Sequence, residues 1–172
     1  MFKNILCPLD GSDHASKALE LAIDLAKTYD AKLVLLHNTL LNADAADLER
    51  FAEVEGLAKT VKPEISRLKA LEGRLEYGYE EPPAETSRMY VEIGQSILDS
   101  AKNEAIDKGL HNVETILTEG EAASRILRCI ERRGIDCVVM GSRGLSDFKA
   151  LYLGSVSHKV MNKAACTCIA VK

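Results

Sequence analysis

The stretch MGSRGLSDFKALYLGSVSHKV, from Met140 to Val160, holds the residues best suited to chemistry. Gly141, Gly144 and Gly154 punctuate it, between an apolar run, DCVVM, and an apolar-periodic segment opening at Ser155. The first four amides of a helix have no partner within the helix, and the helix dipole draws anions to that end. Gly154 lets a ligand approach the backbone closely. Ser155 and Ser157 add hydroxyls beside the amides of Ser155, Val156 and Ser157, and Arg143 adds a cation between glycines that tolerate unusual backbone angles. Such a set suits a phosphate group. A plainer role also fits, with the glycines making turns and Ser155 capping a helix. Residue types alone leave the two readings level.

Other phosphate loops fit poorly. The sequence contains neither G-x-x-x-x-G-K-[ST] nor G-x-G-x-x-G, and a glycine loop after a fourth strand is misplaced for a dinucleotide fingerprint. Asp10 is the second candidate. It follows Pro8-Leu9 at the end of the first strand-like run, where ligands of open parallel sheets sit if strands 1 and 4 are neighbours. Its carboxylate can then accept from ribose hydroxyls or an adenine amino group. Alternatively, it is a turn residue or helix cap before Gly11. No Ser-His-Asp order or carboxylate pair stands near the loop. Asp147 reads as a solvated loop residue rather than a general base, so no catalytic residue is assigned. The four histidines are scattered and read as surface or strand-end residues. The five cysteines are odd in number and lack C-x-x-C spacing, which disfavours a disulfide framework. Cys166-x-Cys168 sets two sulfurs on one strand face, at a spacing unusual for thiolate metal ligands.

These residues need elements to position them. KNILCPL (3–9) reads as strand 1, ended by the turn signal Asp10-Gly11-Ser12. A helix follows with Ala18, Leu21, Ala22, Leu25 and Ala26 on its apolar stripe, capped by Ser12 or Asp13. AKLVLLHN (31–38) is strand 2. Residues 40–85 read as a helical excursion broken at Pro63, with Leu48, Phe51, Val61, Ile65 and Leu68 as its apolar side and a loop at Pro82-Pro83. From Thr86 a helix carries Tyr90, Ile93, Ile97, Ala101 and Ala105 in register and stops at Gly109. NVETILT (112–118) is strand 3, and AASRILRCIERR is a helix closed by Gly134. IDCVVM (135–140) is strand 4, a helix runs from about Ser155 to Ala164, and TCIAVK is the last strand. Strands alternating with helices predict a parallel sheet covered on both faces.

The 172 residues suit one domain. A net charge of −4 argues against a general nucleic-acid or anionic-membrane surface, leaving room for one local phosphate site. No apolar run reaches the roughly 20 residues of a membrane helix, and the start reads as a core strand rather than a signal peptide. A cytoplasmic protein is the expectation.

Several ordered segments together resemble one family. MGSRG, nine residues, then GS is G-x-x-G-(x9)-G-[ST], the nucleotide signature of ATP-binding universal stress proteins. NILCPLDGSDHASKALELA resembles that family's opening strand, turn and helix, and LVLLHN its second strand. The run from Gly134 to Lys172 resembles its C-terminal region nearly end to end. The resemblance implies a Rossmann-like, open five-stranded parallel sheet of order 3-2-1-4-5. It implies that Pro8, Leu9 and Asp10 border an adenosine and that Asn38 sits where the backbone contacts adenine. Met140 and Gly141 would lie along the ribose and α-phosphate. Arg143, Gly144, Gly154, Ser155, Val156 and Ser157 would hold the phosphate chain, with Mg2+ joining through the phosphates and no protein ligand. It further implies a homodimer through the C-terminal strand (167–171).

Departures accompany the likeness. Asn38 stands where the family often has a small aliphatic residue, so its side chain either reads a base edge or crowds it. Gly120-Glu121-Ala122 lacks the family's proline, and Thr167 replaces the proline before the last strand. Segment 40–85 is longer than usual, and is a solvated excursion, a lid or an oligomerisation arm. The expected function is an ATP-binding, nucleotide-responsive homodimer that reports stress or energy state to a regulatory protein partner. Alternatives are a slow Mg-dependent ATPase or phosphotransferase, an AMP- or ADP-sensing module, and a nucleotide-free interaction module.

Overall fold

The computed structural model describes residues 1–39, 84–144 and 154–172. Its elements run β1 (Asn4–Leu9), α1 (Asp13–Tyr29), β2 (Lys32–Asn38), α2 (Ala84–Asp107), β3 (Val113–Thr118), α3 (Ala122–Arg133), β4 (Cys137–Gly141), α4 (Ser155–Lys163) and β5 (Thr167–Val171). The five strands form one parallel sheet in the order β3-β2-β1-β4-β5. Strand order reverses between β1 and β4, so their C-terminal ends diverge into a crevice. Of the excursion expected at 40–85, residues 40–83 lie outside the described residues, as does Asp147. Ala84 and Glu85 already belong to α2.

The period of two along each central strand builds two cores. Ile5, Cys7 and Leu9 of β1, Leu33 and Leu35 of β2, and Cys137 and Val139 of β4 point to one face, beneath α1 and α2. Leu6, Val34, Leu36, Val138 and Met140 point to the other, beneath α3 and α4. Both faces of the central strands are therefore dry, which is why those strands read as continuous apolar runs. β3 sits at an edge, and all six of its residues are only half-buried.

Two expectations shift. The buried stripe of α1 includes Leu19 and Ile23, while Leu21 and Leu25 are only partly buried beside it. The helix is thus turned about one position from the predicted stripe, because small Ala15, Ala18, Ala22 and Ala26 let it lie close on β1 and β4. His37 is at a strand end as expected, yet it is 2% exposed. Its Nδ1 lies 2.8 Å from the Leu9 carbonyl oxygen, and burial lowers its pKa. The ring is therefore neutral, with Nδ1–H donating to Leu9. A buried donor thus holds the last turn of β1 just before Asp10.

Candidate functional site

A cleft of about 160 Å3 opens over the C-terminal ends of β1, β2 and β4. All twelve residues singled out from the sequence line it. Pro8, Leu9 and Asp10 come from β1 and the turn after it, and Asn38 ends β2. Met140 and Gly141 end β4. Arg143 and Gly144 follow on the loop, and Gly154, Ser155, Val156 and Ser157 form the start of α4. Leu36, Ala122 and Ile126 also line it and were missed. Leu36 looked like ordinary strand core, and Ala122 and Ile126 reach the cleft because α3 packs on the sheet face that carries Leu6, Val34 and Leu36.

The cleft has two chemically different ends. Leu36, Ala122, Ile126 and Pro8 make one end apolar, beside Asn38. The other end is the start of α4. There the N-cap is Gly154, in an extended conformation and without a side-chain cap. Ser155 is therefore not the cap, which removes the plainer reading of that residue. His158 N donates to Gly154 O at 2.8 Å, closing the first turn. Among the described residues nothing accepts from the amides of Ser155, Val156 or Ser157. Ser155 is exposed, whereas Ser157 is buried and its hydroxyl donates to the Gly141 carbonyl at 2.7 Å. Ser157 thus offers its amide, while its hydroxyl ties α4 to β4. Arg143 is half-buried and in no ion pair among the described residues.

Asp10 stands across from this end. Its Oδ1 accepts from Ser12 N (3.0 Å) and Ser12 Oγ (2.7 Å). A Cβ built on Gly144 would lie 2.5 Å from Asp10 Oδ2, so a side chain there would have to displace the carboxylate from its place beside Ser12. A Cβ on Gly141 would meet backbone at 3.0 Å, at His14 C and Arg143 O. Both glycines are needed for close approach.

The loop is held from beneath by Ser142, a residue the spacing did not single out. It is 1% exposed. Its amide donates to Val171 O (2.7 Å), its carbonyl accepts from Gly154 N (2.8 Å), and its Oγ lies 3.0 Å from His14 Nδ1. One residue thereby joins both halves of the glycine loop to the last residue of β5.

The arrangement suits anion binding. Asp10 is the one carboxylate lining the cleft among the described residues, and no cysteine lines it. Burial pushes the Cys166 thiol up to about 11 and raises Cys168 as well, which opposes thiolate chemistry. Among the described residues no group of His, Cys, Asp and Glu could hold a metal ion. No described helix is long and apolar enough to cross a membrane.

Comparisons with known proteins agree with this geometry. The model of the universal stress protein family matches residues 1–172. The universal stress protein YxiE of Bacillus subtilis is 33% identical over 172 residues, with both chains fully covered. Among solved structures, the universal stress protein UspA from Lactobacillus plantarum superposes with a TM-score of 0.68. It is 20% identical, covering 99% of this chain and 98% of that one. A universal stress protein in complex with cAMP gives a TM-score of 0.61 at 19% identity, covering 99% and 97%. One from Archaeoglobus fulgidus in complex with dAMP gives 0.60 at 15%, covering 100% and 98%. With the switch-point cleft, the glycine loop and a whole-length family match in hand, the chain belongs to the universal stress protein family.

Proposed function

We propose that this chain binds ATP in the cleft between β1 and β4 and acts as a nucleotide-responsive homodimer in a stress response. The observation that carries the reading is the uncapped start of α4, three amides without partners among the described residues, lining one cleft with Arg143 and Asp10. Helix-start amides and a guanidinium complement a phosphate chain. The apolar end around Leu36, Ala122 and Ile126 suits a purine ring, and Asp10 suits a ribose hydroxyl. The cAMP and dAMP complexes of two family members support an adenine nucleotide as ligand class. Mg2+ would join through the phosphates, since among the described residues the cleft offers only the partly engaged Asp10 carboxylate as a hard protein ligand. β5 lies at the sheet edge, where a second copy can add its own strand. Ser142 bonds Val171 of that strand, so loop and edge are mechanically joined. Bound nucleotide can then shift assembly or partner affinity, to the extent that it binds one state better.

A mononucleotide such as AMP is the second reading, favoured by the same two complexes. Calorimetric titration of the purified protein with ATP, ADP and AMP, with and without Mg2+, tests both. Tightest binding of ATP is expected, with affinity lost in Gly144→Val plus Ser155→Ala. Unchanged affinity in that variant would sink the site. Tightest binding of AMP would select the second reading.

A further inference from the structure

A second groove lies on the sheet face that carries Leu6, Val34 and Leu36, and it shares only Leu36 with the nucleotide cleft. α3 packs there on β1 and β2. β3, at the sheet edge, is left half-buried. The groove between α3 and β3 measures about 270 Å3. Leu36 and Ile116 give it an apolar floor, and Arg125, Arg128, Arg132 and Arg133 give it a cationic wall. Arg133 pairs with Glu114, a carboxylate that also pairs with Lys32. Arg125, Arg128 and Arg132 are in no ion pair among the described residues, and no described carboxylate lines the groove.

Helix chemistry accounts for only part of this wall. Arg132 and Arg133 stand in the last turn of α3, where a cation meets the negative end of the dipole. Arg125 and Arg128 have no such partner, and Arg125 lies near the positive end. Arg125 and Arg128 are also three positions apart, and Arg128 and Arg132 four, spacings at which like charges repel. A chain of net charge −4 thus gathers three unmatched cations along one side of an apolar groove.

We infer that this groove docks a short acidic segment of a partner protein, held extended, with its acids on the α3 arginines and its apolar side chains on Leu36 and Ile116. From Arg125 to Arg132 is about 10 Å along the helix axis, or about three residues of extended chain. Alternate residues of such a chain point opposite ways. A run of acid, apolar, acid therefore offers carboxylates to the helix and an apolar side chain to the sheet. The guanidinium fork can bond each carboxylate twice. A bare polyanion, such as a phosphate chain, would match the wall and leave the apolar floor uncovered.

The test follows a short fluorescein-labelled peptide of alternating glutamate and leucine by anisotropy. An all-glutamate peptide of equal charge and inorganic tripolyphosphate serve as competitors. The alternating peptide should bind the wild-type protein about tenfold or more tighter than either. Arg125→Glu plus Arg128→Glu should weaken it about tenfold or more, since reversed charges repel the acids. That pair leaves Arg132 and Arg133 at the helix end, and a thermal melt checks the fold. Arg125→Gln plus Arg128→Gln, milder for the fold, should weaken binding in the same direction by less. No binding of the alternating peptide to the wild-type protein would overturn the inference. So would unchanged affinity in either folded variant. Tripolyphosphate binding as tightly as the peptide would overturn it too, and make the groove a plain polyanion site.

Discussion

Two helices begin at the mouth of the same cleft, and their first turns are built in opposite ways. α1 closes its own: Ser12 Oγ accepts from Ala15 N, and Asp13 puts an acid in the first turn. Ser12 is itself gripped by Asp10 through both its amide and its hydroxyl. α4 has Gly154 at the same position, no side-chain cap and no acid in its first turn. α3, which starts at the other end of the cleft, sides with α1, since Glu121 accepts from Ser124 N. A cap is worth about 1 kcal/mol, so leaving one out at α4 is a cost to the fold. A helix start that only has to hold the fold together fills its own amides. One left open beside Arg143 is stabilised by whatever anion arrives.

The largest effect should come from making α4 resemble α1. Gly154 has φ −67 and ψ 158, a backbone any residue adopts. Gly154→Asp can therefore cap α4 without backbone strain. The carboxylate would occupy the amides and repel a phosphate chain. Nucleotide affinity should fall on the order of 100-fold, the equivalent of about 2.7 kcal/mol. The ligand-free protein should gain about 1 kcal/mol of stability. Calorimetry and urea melts on the same preparation read both. Loss of affinity and stability together would mean that the side chain clashes, and the contrast between the two helices would lose its support. Gly154→Ser, a cap without the charge, should show the same opposition at smaller size.

The reverse change acts on α1. Ser12→Ala removes the α1 cap and one hydrogen-bond partner of Asp10. Stability should drop by about 1 to 2 kcal/mol, seen as a lower urea midpoint at unchanged slope. Nucleotide affinity should move by less than in Gly154→Asp, because Asp10 keeps the Ser12 amide as partner. An affinity loss as large as that of Gly154→Asp would show that the two helix starts share the ligand.

Much of this contrast could be read before any coordinates. The G-x-x-G-(x9)-G-[ST] spacing and the Asp-Gly-Ser turn marked both helix starts, and alternating strands and helices marked a parallel sheet. Backbone chemistry leaves local traces of that kind, since glycines and short oxygen-bearing side chains occur where the chain needs them. What stayed hidden depends on packing between distant segments. Ser142 joins β4, α4, β5 and α1, its bond to His14 spanning 128 residues, and nothing in its neighbours betrays that. His37 sits among strand residues, and only its burial makes it a neutral donor to Leu9. Which of Ser155 and Gly154 caps α4 depended on where its first turn starts, a boundary that periodicity does not locate.

The smallest effect belongs to α3, and it separates a charged cap from a neutral one. Hydrogen bonds from the Ser124 hydroxyl and amide, then Lys159, lower Glu121 from 4.5 to about 2. A carboxylate lowered in the folded protein favours folding fully above its ordinary pKa. As pH falls from 4.5 toward 2, the unfolded chain takes up the proton first, and the contribution drains away. Glu121 is exposed, so solvent screens the Lys159 pair, which lies at 3.2 Å. The cap's share should be only about 0.5 kcal/mol. Glu121→Gln keeps an acceptor for Ser124 but cannot titrate. Its stability deficit against wild type should therefore be visible at pH 7 and shrink by pH 2.5 in paired urea melts. A deficit that stays constant with pH would mean that the cap works through shape alone. α3 would then hold its first turn as α1 does with Ser12, by hydrogen bonds that owe nothing to charge.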